Sequence, residues 1–369
     1  MEIYCAGLIF GDFLVIDILK KEISREIKES FDSLEKKYCL KSASPLLYFV
    51  IKDFFGRKGK RIRPLLFILS YLGYSFEKKS YKDVLKPAIA FEFLHAFLLI
   101  HDDIIDESEL RRGKPTLHKV INSRIKISKH DRLGGYLGIV AGDIIFAMAV
   151  ELFISFKTSC EKKETALREF ISSAIWTGEG EFIDVFNGKK TLDKVIDQDI
   201  YRTYELKTSV YTFLAPLSAG AIIAGAGPSE IKLLKKFGSV LGRAFQILDD
   251  FLDIFMTEEE TGKSKFQDFS EKKKTFLAWK TYHSLKGRDK KIFFNLFEKD
   301  DKSIEACEKI KDMIIKSGAA FFILDMIDGL IKESLVLLSR LKIKKEYKVY
   351  FAELIEKLSS QTFAVTRKL

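Results

Sequence analysis

Cysteine is scarce. The chain has four in 369 residues (Cys5, Cys39, Cys160 and Cys307), far apart and with no CxxC pair. That spacing excludes a disulfide framework and a zinc ribbon, and suits a reduced, cytoplasmic protein. Proline is also scarce, six in all, and no proline- or serine-rich linker divides the chain. Length alone allows about two or three ordinary domains. Without a linker, one large domain over residues 51–369 with a helical extension over 1–50 is the better reading. No apolar run of about 18 residues is free of charge, as a membrane-spanning helix would be. Glu2, Asp12 and Asp17 interrupt the apolar N-terminus, and Lys86, Glu92 and His95 interrupt the stretch from Val84 to Ile100. The N-terminus lacks a basic start and a clear small-residue cleavage site, so a signal peptide is not expected. An amphipathic helix packed on the body or on a partner is.

What is present supports a large core. Hydrophobic residues make up 47% and charged residues 31%, which excludes wholesale disorder. Lys and Arg number 62 against 52 Asp and Glu, a net charge of +10. That surplus suits a nucleic-acid binder, a membrane-surface protein or an enzyme for acidic substrates, and net charge does not choose among them. Apolar residues recur at spacings of three and four over Leu65–Leu72, Val84–Ile105, Leu137–Phe156 and Tyr201–Ala226. Strand-like alternation is scarce. The pattern predicts ten to twelve long helices in an all-α bundle. Breaks are expected at residues 56–59, 78–80, 112–115, 134–135, 187–190, 227–229 and 257–265, and Ser229–Glu230 reads as a helix start. The Lys/Glu-rich tracts 272–274, 286–291 and 343–348 read as solvated faces or loops.

Two segments carry chemistry. The first ends in Asp102-Asp103-Ile104-Ile105-Asp106 and the second in Asp249-Asp250-Phe251-Leu252-Asp253. Both are D-D-x-x-D, and both close an apolar helical stretch. On a helix the first and third Asp of each share a face, with the middle one bordering it. Like charges at that spacing repel, and a bound cation would offset the repulsion. Carboxylates without Cys or clustered His favour a hard ion such as Mg²⁺, two to three of them, ready for phosphate oxygens. A surface acidic patch would explain one such cluster more easily than two. An EF-hand is excluded because its Gly and terminal Glu are missing.

Basic residues are interleaved with the acidic ones. Gly59-Lys60-Arg61-Ile62-Arg63-Pro64 is a glycine-led basic turn, with Pro64 suited to a first helical turn. Arg111, Arg112 and Lys114 follow the first cluster; Lys207-Thr208 lies in a helical pattern; Gly262-Lys263 and Lys273 follow the second cluster. Arg forks and Lys point charges are the usual phosphate ligands. As a set they argue for diphosphate substrates. The glycine loop is not a Walker A motif, because the spacing fails.

With these motifs in this order, the chain resembles the trans-isoprenyl diphosphate synthases, or polyprenyl synthetases, over about Phe55 to Phe276. The resemblance also rests on Glu107 to Thr116, Ala141-Gly142-Asp143, Gln246 to Asp253 and Glu271 to Thr275. It implies long helices around a deep central cavity, usually in a homodimer. It implies Mg²⁺ held by Asp102 and Asp106 on one side and by Asp249, Asp250 and Asp253 on the other, with Asp103 completing the first motif. It implies Lys60, Arg63, His95 and Arg112 on isopentenyl diphosphate. Arg111, Lys207, Thr208, Gln246, Lys263 and Lys273 would hold the allylic diphosphate. The family's Glu-Gly-Lys-x-Thr is here Glu271-Lys272-Lys273-Lys274-Thr275, so Lys272 or Lys274 could serve in place of Lys273.

The chemistry expected is loss of diphosphate from the allylic substrate, attack by the isopentenyl double bond, and loss of a proton, with no Ser/His/Asp or Cys/His nucleophile. Water must be kept out. Phe97 lies five residues before Asp102, about 7.5 Å along a helix, and would obstruct a chain growing away from the aspartates. With Leu98 beside it, it looks like the archaeal-type geranylgeranyl diphosphate synthases, which implies a C20 product, with C15 next. Leu94 or Phe91 could form the floor instead. Three other readings compete. A class I terpene synthase would mix Asn, Ser or Thr with Glu in its second metal motif. A non-catalytic partner subunit would have lost an aspartate or the Lys60/Arg63 pair. A nucleic-acid binder would show a basic stripe with interleaved aromatics. A peripheral membrane contact would suit release of a hydrophobic product.

Overall fold

The computed structural model describes residues 12–366 apart from 78, 112, 129–130, 257–265, 267–268, 270 and 300–302. Among these the chain is almost wholly helical. The first helix, α1 (Asp12–Tyr38), buries Ile16, Leu19, Ile23, Ile27, Phe31 and Leu34, a run spaced by three and four. It packs against α3 (Pro45–Gly56), α4 (Ile62–Tyr74) and α5 (Leu85–Ile105), so it joins the same core as the rest. Residue 50 lies inside α3, which follows the single turn α2 (Leu40–Ala43).

α5 is the central element. A capping box at Ser80 and Asp83 opens a short turn before it, and from Ala88 to Leu94 six of seven residues are apolar and fully enclosed. A helix apolar on all sides must be buried on all sides. Its neighbours are α4 and α7 (Leu133–Ile154), with α8 (Cys160–Gly188) beyond. Phe91 of α5 meets Phe67, Phe153 and Phe170 from those three helices at centroid distances of 5.7, 6.0 and 5.0 Å. This aromatic knot fixes the lower half of α5, and its upper end carries the first aspartate cluster.

The second cluster ends α11 (Pro228–Phe255), whose Leu234, Phe237, Leu241, Ala244, Leu248 and Phe251 line a buried stripe. Between α8 and α11 runs a wide π-helical segment, Tyr204–Leu214, entered from α9 (Asp197–Thr203) and continued by α10 (Ala215–Ala224). The segment fits because two flanking positions lack a side chain. A Cβ on Gly180 would lie 2.5 Å from the Lys207 backbone nitrogen, and one on Gly242 2.6 Å from the Ser209 side chain. Five further helices follow: α12 (Phe276–Ser284), α13 (Gly287–Glu298), α14 (Ile304–Lys316), α15 (Ala319–Arg340) and α16 (Lys345–Thr366).

The all-α bundle is as expected, but several details are not. Among the described residues the helices outnumber the ten to twelve expected, because short ones lie between the long ones. Leu110–Arg111 pairs with Lys114–Pro115 as two short antiparallel strands ahead of α6 (Leu117–Arg124). Gly134–Gly135 is no break: both lie in the first turn of α7, where Gly134 lets that helix press on His118 and Asn122. α11 starts at Pro228, with Ser229 already inside it. The tract 272–274 is no solvated face, since Lys274 is buried against Phe297. The break expected at 257–265 lies outside the described residues. Three stretches do reach the length and mean hydropathy of a membrane span: Tyr81–Ile105, Leu133–Ile154 and Asp197–Ala224. Counting only uncharged runs missed them. Two are 67% buried inside the bundle; Leu133–Ile154 is 44% buried.

Candidate active site

A helix C-terminus is a poor place for carboxylates, because the carbonyl end of the helix is itself negative. Asp102, Asp103 and the C-capping Asp106 sit there. Cations offset the cost. Lys207, from the π-helical segment, lies 3.1 Å from Asp102 and 2.8 Å from both Glu181 and Asp184 of α8. Arg111, on the first of the two short strands, donates from Nε to Asp103 at 2.7 Å and from Nη2 to Asp102 at 3.0 Å. Lys273 lies 3.6 Å from Asp106 and 2.8 Å from Glu271.

These contacts separate the three carboxyl groups. Burial pushes Asp102 up, but Lys207, Lys273 and Arg111 outweigh it and hold the group well below the usual carboxylate range. Burial raises Asp103 to about 6 despite Arg111. Burial and then the Asp102 charge raise Asp106 to about 7, against Lys273 and Lys207. Burial opposes the charge on Lys207, yet Asp102, Asp184 and Glu181 hold it well above its ordinary value.

The second cluster is tied to the same π-helical segment. Thr208 donates to Gln246 Oε1 at 2.7 Å, and Gln246 Nε2 donates to Asp250 Oδ1 at 2.6 Å. The Tyr204 hydroxyl donates to the other Asp250 oxygen and accepts from the Phe276 backbone N–H at 3.0 Å. Asp250 and Asp253 are buried and Asp249 half-buried. A small cavity opens behind Asp250 and Lys273, walled by Ile254, Phe269, Phe293 and Phe297.

A third group gathers on the other side of the segment. The Arg63 guanidinium lies 4.2 Å over the Tyr211 ring and donates to Thr212 at 2.7 Å. Tyr211 Oη lies 3.4 Å from His95 Nδ1. The exposed Lys60 ammonium lies 5.8 Å over the Phe245 ring. Lys60, Arg63 and His95, from two helices and a turn, thus meet around Tyr211, Thr212 and Phe245.

Phe97 is half-buried. Its ring packs on Phe146 of α7 at 5.1 Å and on His101 at 4.6 Å. Leu94 is fully buried below it, and Leu98 is half-buried. Of the three candidate lysines, Lys273 reaches the first cluster, while Lys272 and Lys274 bond to Glu298. Arg112 and Lys263 lie outside the described residues.

Sequence reasoning missed Glu181, Asp184, Tyr204, Tyr211 and Thr212. Two acids three apart in the otherwise apolar stretch Phe182–Phe186 and its approach were a usable signal for the first pair. The tyrosines carried none, because they look like ordinary core.

Among the described residues no three carboxyl, thiol or imidazole groups converge into a preformed metal cage. Mg²⁺ does not need one, since it keeps most of its waters and takes one or two carboxylates together with phosphate oxygens. The donor set is all oxygen, and Asp103 Oδ2 is buried without a hydrogen-bond partner. Both observations fit a hard divalent ion.

Acidic clusters at two helix ends, laced with cations and joined by one π-helical segment, have the chemistry to take a metal-bound polyanion in an all-α bundle. The polyprenyl synthetase family model matches residues 44–314. The chain is 34% identical over 296 residues to the geranylgeranyl diphosphate synthase of Sulfolobus acidocaldarius, covering 79% of this chain and 83% of that one. It is 32% identical over 295 residues to the short chain isoprenyl diphosphate synthase of Methanothermobacter thermautotrophicus, covering 79% and 82%. A crystal structure of the geranylgeranyl pyrophosphate synthase from Corynebacterium glutamicum, complexed with isoprenyl diphosphate and magnesium, superposes with a TM-score of 0.84 at 25% identity, covering 94% of this chain and 99% of that one. The chain therefore belongs to the polyprenyl synthetase family, Mg-dependent prenyltransferases that condense isopentenyl diphosphate with allylic diphosphates.

Proposed function

We propose that this enzyme makes a short-chain all-trans prenyl diphosphate, geranylgeranyl diphosphate, by successive additions of isopentenyl diphosphate. The observation that carries the reading is the division of cations around the π-helical segment. Lys207, Arg111 and Lys273 stand with the aspartates, while Arg63 and His95 stand apart at Tyr211 and Lys60 lies over the Phe245 ring. Two separate basic sets suit two diphosphates.

On this reading Arg111, Lys207, Thr208, Gln246, Lys273 and Lys263 hold the allylic diphosphate, and Lys60, Arg63, His95 and Arg112 hold isopentenyl diphosphate. Asp102, Asp106, Asp249, Asp250 and Asp253 would hold two to three Mg²⁺. When bound, the metal draws off the negative charge that builds on the departing diphosphate. Lys207 and Arg111 add fixed positive charge at the same place, where it needs no reorganisation. The allylic C–O bond breaks, the isopentenyl double bond attacks the resulting cation, and the released diphosphate accepts the proton. Leu94, Phe97 and Leu98 keep the tail side of α5 free of water. Tyr204 and Gln246 orient Asp250 through its two oxygens.

The C20 length is supported by Phe97, which stands against Phe146 beneath the first cluster. Farnesyl diphosphate is the shorter alternative. The test is incubation with Mg²⁺, isopentenyl diphosphate and each of the C5, C10 and C15 allylic diphosphates, followed by dephosphorylation and chromatography. A C20 alcohol that disappears with EDTA is expected, and Phe97→Ala should lengthen it. No elongation from a folded sample would sink the reading. Unchanged products from Phe97→Ala would remove that residue from the role.

A further inference from the structure

Behind the Lys60/Arg63 turn lies a buried ion pair that the chemistry above does not use. Arg61 sits between those two residues and caps α4 in the left-handed region, at φ 53°. A non-glycine residue there is strained unless its surroundings hold it. Its side chain turns away from its neighbours and into the core. Nη1 donates to Glu92 Oε1 at 2.6 Å, Nη2 to the Arg57 carbonyl at 3.3 Å, and Nε to Ser24 Oγ of α1 at 3.4 Å. The two side chains are 7% and 4% exposed. Glu92 lies on α5 one turn before His95, and its second carboxylate oxygen is buried without a partner. A small cavity joins the pair to His95, bordered by Phe54, Phe55 and Ala96.

A buried ion pair is weak evidence for stability, since an apolar pair of similar volume often does as well. What a guanidinium fork adds is direction. We propose that Arg61 and Glu92 are positioning residues, pinning the basic turn to α5 so that Lys60 and Arg63 meet isopentenyl diphosphate on the same side as His95. This rests on the assignment of those three residues to that substrate.

The experiment is steady-state kinetics with each substrate varied in turn. The double variant Arg61→Met/Glu92→Leu removes both charges without stranding either one. It should melt cooperatively near the wild-type temperature. Its KM for isopentenyl diphosphate should rise by about 10-fold or more, while kcat and the KM for the allylic substrate stay within about twofold. Glu92→Gln, which keeps the shape and one acceptor, should show a smaller rise in the same parameter, and serves alone if the double variant does not fold. An unchanged isopentenyl KM, or equal rises for both substrates, would overturn the proposal. Lys60→Ala and Arg63→Ala separate the two failures. If they raise that KM and the Arg61/Glu92 variants do not, the positioning role falls alone. If they too leave it unchanged, the substrate assignment falls with it.

Discussion

His118 shows how a single buried group sets a pH limit for this fold. It lies on the helix Leu117–Arg124, is nearly enclosed, and keeps Nδ1 without a hydrogen-bond partner. Burial, and then the charge of Lys119, push it down to about 4. In the unfolded chain it titrates near 6.5. Between those values the unfolded state binds the proton and the folded state does not, so stability falls as pH drops through 6.5 and levels off below 4. From pH 7 to pH 5 the loss from this group, reduced by the solvent screening of a partly hydrated ring, is on the order of 1 kcal/mol. Urea unfolding of wild type and His118→Gln at both pH values should show that difference in wild type and its absence in the variant. Parallel curves would show that His118 is not the source. The same scale explains what the sequence could and could not disclose. The aspartates were legible because charge at the end of an apolar helix is anomalous by itself, whereas Lys207, Thr208 and Gln246 were singled out through the family resemblance. Glu181 and Tyr204 were not, because their importance lies only in what they touch, 26 and 46 residues away in Lys207 and Asp250. The choice among Lys272, Lys273 and Lys274 likewise needed the position of Glu298.

The decisive element is the π-helical segment. It touches all three groups of candidate site residues: Lys207 the first cluster, Thr208 the second through Gln246, Tyr211 and Thr212 the group of Arg63 and His95. Local pattern predicts a helix here but not its wider winding, which depends on how closely α8 and α11 approach. Wide turns of this kind recur at functional sites. Gly180→Ala tests the dependence, because the new methyl would meet backbone at 2.5 and 2.9 Å rather than a movable side chain end. The segment must then shift and carry Lys207 off Asp102. Turnover should drop about tenfold or more, since misplacement of about 1 Å costs that and beyond, and the melting temperature should fall as well. Gly329→Ala is the matched control. It lies mid-helix in α15 with nothing within 4 Å, so it should stabilise by about 0.5–1 kcal/mol through helix propensity alone and leave turnover unchanged. Equal behaviour of the two variants would remove the segment's winding from the argument.

At the scale of the whole molecule, the helices that build the core also leave apolar surface uncovered. α7 has the composition of a membrane span yet is less than half buried, and its Leu133, Tyr136, Leu137 and Val140 form one exposed stripe at spacings of three and four. On α8, Ile175, Phe182 and Phe186 are exposed in the same way, between 61% and 75%. Single exposed hydrophobics are ordinary; stripes on two long helices are not. A second copy of this chain is the occupant we propose, in keeping with the homodimer implied by the resemblance. A two-fold contact lets a stripe cover its own counterpart. Each protomer carries +10, so association has to overcome repulsion between the two bodies, and salt should tighten the contact by screening that charge while strengthening apolar burial. Sedimentation at micromolar concentration should find wild type as a dimer. Tyr136→Glu/Val140→Glu should sediment as a monomer with a cooperative melt, because dimerisation would then have to bury two carboxylates per protomer that the monomer leaves in water. A wild-type monomer at that concentration, or a variant that still dimerises, would place the partner on another face.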